Sequence, residues 1–152
     1  MLATIQIVSS AEIFINGQTL SSIGSGCLAF VCIEENDSSK QVKEMAEKII
    51  NFRMFDGPKG ITSSSLKESE KEILIVSQFT LAAVTNKGTK PSFHKAAKPD
   101  NAKLLYDKFV IKFRSSFPRV KEGKFGALME IKLVNKGPVS YTHLTLPTMA
   151  IV

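Results

Sequence analysis

The residues Cys27 to Ile33 form an unbroken apolar run rich in β-formers, set off by the break Gly24-Ser25-Gly26. A strand with one wet face alternates polar and apolar side chains, so a run without alternation has to be covered on both faces. The chain must therefore fold around a central strand with a layer on either side of its sheet. At 152 residues it has the size of one ordinary domain and can bury roughly two-thirds of the surface its unfolded form exposes. One compact core is expected.

The flanking segments indicate what covers that strand. From Leu2 to Ser9 apolar and polar residues largely alternate, and Glu12-Ile13-Phe14-Ile15 continues the pattern up to Asn16-Gly17, a strong hairpin signal. The period then changes: Val42, Met45, Ala46, Ile49 and Ile50 fall on one helical face, with Asp37 or Ser38 placed to cap its start. Residues 56–65, with Gly57-Pro58-Lys59-Gly60 and a run of serines, read as a loop. Glu72 to Leu81 reads as a strand and Thr85 to Pro99 as a polar, lysine-bearing loop. Asp100 can cap a second amphipathic helix carrying Leu104, Leu105, Phe109, Val110 and Phe113. Ala127 to Val134 is a last strand, closed by Asn135-Lys136-Gly137-Pro138. Strands outnumber helices and no clear βαβ series is present. The expectation is an α+β fold, mainly antiparallel β-sheet with two amphipathic helices, in a single compact domain.

Composition narrows function by exclusion. No run approaches the ~20 apolar residues of a membrane span, and Met1 to Gln6 shows no basic segment ahead of an apolar one. A cytoplasmic protein with no membrane partner is expected. Cys27 and Cys32 have no further Cys to complete a metal set and read as reduced core thiols. No metal and no cofactor is expected. A net charge of +6 favours a polyanionic partner, because a basic surface attracts nucleic acid without sequence-specific contacts. Many basic domains bind none, so charge alone does not decide.

Two short segments carry the chemistry. Ser77-Gln78-Phe79-Thr80 places a hydroxyl, an amide and backbone N–H groups where a strand gives way to a loop, an arrangement suited to a developing oxyanion. Taken alone it reads more readily as an ordinary strand end with Phe79 in the core. Asn135-Lys136-Gly137-Pro138-Val139 by itself reads as a turn. A Ser–His triad is the obvious rival, yet Ser77 lacks a Gly-x-Ser-x-Gly elbow and the chain has only His94 and His143 as bases.

Together the two segments resemble the paired signature of the D-aminoacyl-tRNA deacylases, in order from Met1 to Val139. Val8-Ser9-Ser10-Ala11, Ala46-Glu47-Lys48-Ile49, Lys90-Pro91-Ser92-Phe93 and Lys124-Phe125-Gly126-Ala127 support the likeness. The resemblance implies an editing hydrolase that cleaves the ester bond of D-aminoacyl-tRNA, with glycyl-tRNA mischarged on tRNA(Ala) as a possible achiral substrate. It implies catalysis by backbone N–H groups and by a ribose hydroxyl of the tRNA's terminal adenosine, without a side-chain nucleophile. Phe79 and Thr80 would supply the oxyanion-facing backbone, and Ser77 and Gln78 would shape the pocket. Gly137 and Pro138 would form a cis peptide inserted into the partner's site of a homodimer to test chirality. Phe125 is a candidate for stacking on the terminal adenine, or a core residue. Lys87, Lys90, Lys95 and Lys98 could meet acceptor-stem phosphates, or form a solvated loop. The rival to an enzyme is a non-catalytic tRNA- or RNA-binding module of the same fold.

Two stretches depart from the family. Ile61-Thr62 stands where the family commonly has Met-Asn. Val139-Ser140-Tyr141-Thr142-His143-Leu144-Thr145-Leu146-Pro147-Thr148 resembles the translation of a transposase adapter used in sequencing libraries. The expected division is residues 1–139 as the deacylase domain and 140–152 as a non-native read-through tail, which removes His143 as a candidate base.

Overall fold

In the computed structural model, residues 1–145 are described, except for the side chains of 138–140 and 142–145. The apolar run becomes β3 (Gly26–Cys32), in which every residue but Phe30 is buried. It lies inside the sheet order β2-β1-β3-β6-β7, with β8 on the other edge of β1. β1 (Leu2–Ile15) joins β2 (Gln18–Ile23) through Asn16-Gly17, with φ of 51° and 77°. Ile15 faces Gln18 across that turn. Two successive positive φ values in a two-residue loop suit the right-handed twist of a hairpin, and Asn-Gly tolerates them.

Alternation along β3 feeds two cores. Cys27, Ala29 and Val31 face a cluster built with Val42, Met45, Ile49, Phe109 and Phe113 of the two helices. Leu28 faces a second cluster with Val8, Ala11, Ile13, Leu74 and Val76, which Met129, Ile131 and Leu133 cover. Odd-numbered residues of β1 face the helices up to Ile7 but the second core from Ala11 onward. The strand therefore turns over around Ser9-Ser10, where its register with β8 (Glu130–Thr145) also shifts.

The first helix, α1 (Ser39–Asn51), buries the five residues that its periodicity singled out. Ser38 caps it and exchanges bonds with Gln41 in a capping box. The second, α2 (Pro99–Ser116), is capped two residues earlier than expected, with Lys98 at the N-cap and Asp100 in the first turn. Pro99 forces this, because its ring fixes φ at a helical value and it needs no N–H partner at the first position. Leu104, expected in the buried face, is 55% exposed, while Tyr106 is buried.

Several expected boundaries moved. β6 (Glu72–Ser77) runs parallel to β3 and to β7 (Val120–Glu122), so the sheet is mixed. The parallel crossovers were hidden because α1 is followed by a small hairpin and β7 is only three residues long. Residues 56–65 are not a plain loop: β4 (Phe55–Gly57) pairs with β5 (Gly60–Ser64). The strand expected to reach Leu81 ends at Ser77, and a single 3₁₀ turn follows over Phe79–Ala82. β8 does not stop at Asn135 but continues to Thr145 alongside β1. Its backbone passes Ser140 without a break, and residues 146–152 lie outside the described residues.

Candidate functional site

The site begins where β6 leaves the sheet. Gln78 N–H still donates to Val31 O at 2.8 Å, and then the chain tightens into the 3₁₀ turn. Among the described residues no acceptor is recorded for the N–H groups of Phe79 and Thr80, as expected for the first turn of any helix. The turn is held from both sides. The Cys32 thiol donates to Phe79 O at 3.6 Å, and Gln78 Nε2 donates to Thr80 Oγ1. Phe79 itself is 56% exposed rather than in the core. It meets Phe93 edge-on, with ring centroids 5.1 Å apart.

A cavity of about 840 Å³ opens beside this turn. Its floor is Cys32 at the end of β3 and the following Ile33, with Val76, Ser77, Gln78 and Phe79; one wall is Phe93 and His94, and the start of α2 contributes Pro99 and Ala102, with Lys98 at its N-cap. The remaining wall is Phe125 to Met129 with Ile131. The loop before α2 is stapled to the sheet by Ala97 N–H donating to Ile33 O at 2.9 Å, and to itself by paired bonds between Val84 and Ser92. Phe125 packs against Tyr106 at 5.6 Å, and Gly126, with φ of 73°, turns the chain back over the opening.

Of the residues expected to do chemistry, Ser77, Gln78, Phe79 and Phe125 line this cavity, whereas Thr80 lies in the adjoining turn without lining it. Lys87 and Lys90 are exposed and do not line it. Gly137 is exposed and lies in β8, as does the backbone of Pro138. There the ladder is interrupted: Asn135 pairs with Val8 and Ser140 with Gln6, so Ile7 alone faces the four residues 136–139. The Gly137-Pro138 pair therefore bulges from the sheet. Asn135 Nδ2 clamps the base of that bulge by donating to Gln6 Oε1 at 3.1 Å and Ile7 O at 3.3 Å.

Reading the sequence missed part of the lining. Cys32, Leu128 and Met129 had no motif to mark them as lining, Lys98 was named only as one of four loop lysines, and only the Lys90-Pro91-Ser92-Phe93 stretch pointed at Phe93. His94 Nδ1 lies 2.8 Å from Ser92 Oγ. The imidazole is thus paired with Ser92, and no carboxylate among the described residues bonds its other nitrogen to complete a triad. Burial, and next the nearby Glu34 charge, push the Cys32 thiol up to about 11, so it stays protonated at neutral pH and is no nucleophile. Among the described residues no three His, Cys, Asp or Glu side chains converge to hold a metal. No helix is long and apolar enough to cross a membrane. What the cavity does offer is a largely apolar bowl with unpaired backbone donors at its edge.

A profile of the family described as D-Tyr-tRNA(Tyr) deacylase matches residues 4–144. The D-aminoacyl-tRNA deacylase of Cupriavidus metallidurans is 41% identical over 146 residues, covering 93% of this chain and 94% of its own. That of Mannheimia succiniciproducens is 42% identical over 141 residues, covering 93% and 97%. A solved structure described as c-Myc DNA Unwinding Element Binding Protein superposes with a TM-score of 0.90 at 37% identity, over 97% of this chain and 99% of that one.

Proposed function

Since this chain belongs to the D-Tyr-tRNA(Tyr) deacylase family, we propose that it is an editing hydrolase cleaving the ester bond of D-aminoacyl-tRNA. One observation carries the mechanism: the free N–H groups of Phe79 and Thr80 stand at the edge of the cavity that Ser77, Gln78 and Phe79 line. Water adds to the ester carbonyl, the carbonyl oxygen gains negative charge, and those two N–H groups stabilise it. The bond to the ribose oxygen then breaks, that oxygen takes up the proton that water lost, and the free amino acid leaves. A neighbouring ribose hydroxyl of the terminal adenosine relays the proton. An aminoacyl ester is already activated, so orientation and charge stabilisation supply much of the acceleration. Glycyl-tRNA, having no side chain to exclude, is a second substrate on this reading.

Chirality is set by Gly137-Pro138, acting in the partner's cavity of a homodimer. The bulge at 136–139 supports this, since it takes four residues out of the ladder opposite Ile7. Leu128 at the cavity, 94% exposed, and Val134 on β8, 57% exposed, offer apolar surface for a second copy to cover. Phe125 stacks on the terminal adenine, and Lys87 and Lys90 meet acceptor-stem phosphates. The reaction places the protein in the cytoplasm, where tRNA is charged. Residues from about Ser140 onward are a foreign tail, of which the described part, 140–145, pairs with β1.

Incubation of the purified protein with matched D- and L-tyrosyl-tRNA, following ester loss, tests the activity. Selective loss of the D ester is expected, and Ser77→Ala should cost far less than the several orders of magnitude that removing a nucleophile costs. A trapped acyl-enzyme would overturn the mechanism. A second reading, a nucleic-acid-binding module without turnover, draws on the DNA-binding description of one structural relative. Tight tRNA binding with no ester loss from either isomer would favour it.

A further inference from the structure

Two side chains on the cavity wall have no part in stabilising an oxyanion: His94 and Lys98. Both are exposed at the cavity, whereas Lys87 and Lys90 of the same loop lie off it. The His94 ring is held, because Nδ1 lies 2.8 Å from Ser92 Oγ and the Ser92 backbone is bonded both ways to Val84, at 2.8 and 3.0 Å. In the tautomer in which the Ser92 hydroxyl donates to Nδ1, the ring proton sits on Nε2 and that nitrogen is a donor. Lys98 is the N-cap of α2, where the helix dipole adds positive potential to its ammonium. Among the described residues Lys98 forms no ion pair.

A cavity that receives the aminoacylated nucleoside must also accommodate the phosphodiester joining that nucleoside to the rest of the strand. We infer that His94 and Lys98 hold this 5′-phosphate, with Ser92 as a positioning residue for the imidazole; the assignment rests on the deacylase reading of the cavity. A planar N–H donor and a flexible ammonium together suit a phosphate oxygen pair, and charge-assisted bonds of this kind are among the stronger ones. Glu35 also lines the cavity. Its carboxylate opposes an anion there, so Glu35→Gln strengthens the preference for phosphate.

The experiment compares adenosine with 5′-AMP as equilibrium ligands, and 3′-D-tyrosyl-adenosine with its 5′-phosphate as substrates. In the wild type the phosphate is expected to tighten binding and raise kcat/KM about tenfold. That ratio should fall toward one in Lys98→Ala and in His94→Ala, fall partly in Ser92→Ala, and recover in Ser92→Thr. A wild-type ratio near one, or the full ratio kept in both Lys98→Ala and His94→Ala, overturns the assignment. If neither ester is cleaved, the deacylase reading fails by itself, while the adenosine and AMP affinities still decide whether phosphate is held here.

Discussion

Thr62 sits at φ 52° in β5, a left-handed conformation that crowds a β-branched side chain against its own backbone. An Asn at this place would relieve that crowding, because its short polar side chain tolerates the region. Thr62→Asn should therefore stabilise the fold by about 1 kcal/mol, seen as a higher urea midpoint at unchanged slope. An unchanged or lower midpoint would mean that the Thr side chain makes a compensating contact. Cys32 gives a second test at this scale. A thiol whose folded pKa is raised contributes stability fully below the unfolded value of 9.0, and that contribution is lost as pH rises toward about 11. Burial raises the Cys27 thiol further in the same direction. At pH 8 iodoacetamide should label neither cysteine in the folded protein and both in urea. Labelling of the folded protein at the rate of an exposed thiol would refute the buried-thiol account.

Among the elements, α1 and β3 illustrate two kinds of local dependence. The capping box at Ser38 satisfies backbone donors that would otherwise be orphaned, so Ser38→Ala should lower stability by about 1 kcal/mol, and Ser38→Asp should restore most of it. Gly26 begins β3 where a Cβ would lie 1.9 Å from Glu72 O. Nothing flexible is available to move, since the obstacle is the backbone of the parallel partner. Gly26→Ala should cost about 3 kcal/mol through the displaced β3/β6 ladder, measured by denaturant unfolding. A cost below half of that would show that β6 shifts freely, and with it the turn bearing Phe79 and Thr80.

At the scale of the molecule the bulge at 136–139 is where the proposed choice of substrate is tested. Proline restricts its own φ and the conformation of the residue before it, so Gly137 cannot relax while Pro138 is present. Pro138→Ala should lower the turnover of D-tyrosyl-tRNA and let more of the L form be cleaved, on a chain with its native C-terminus. Equal rates for both isomers before and after the change would reduce the pair to a turn. Lys87 and Lys90 belong to the long-range field rather than the cavity. Changing both to Ala should flatten the salt dependence of tRNA binding by up to about one unit of log–log slope per lost phosphate contact. The single-turnover rate at saturation should hold.

The periodicities of single segments determined α1, the Asn16-Gly17 hairpin and the doubly covered β3, and narrowed the cap of α1 to Asp37 or Ser38, because each depends on side chains within one or two turns of chain. The Ser77 to Thr80 motif was likewise legible, and with it the family. What tertiary structure decided was which segments meet. Nothing local says that β6 lies parallel to β3, because a parallel pair is set by the path of an intervening helix. The ends of β6 and β8 were misjudged for a related reason. A strand stops or continues according to whether a neighbour offers free backbone groups, and β1 offers them as far as Leu2. The pairing of His94 with Ser92, the presence of Lys98 at the cavity and the exposure of Phe79 follow from a loop pinned to the end of β3 by Ala97 and Ile33. Such a contact joins residues far apart in sequence, and its energy exists only once the sheet that brings them together has formed.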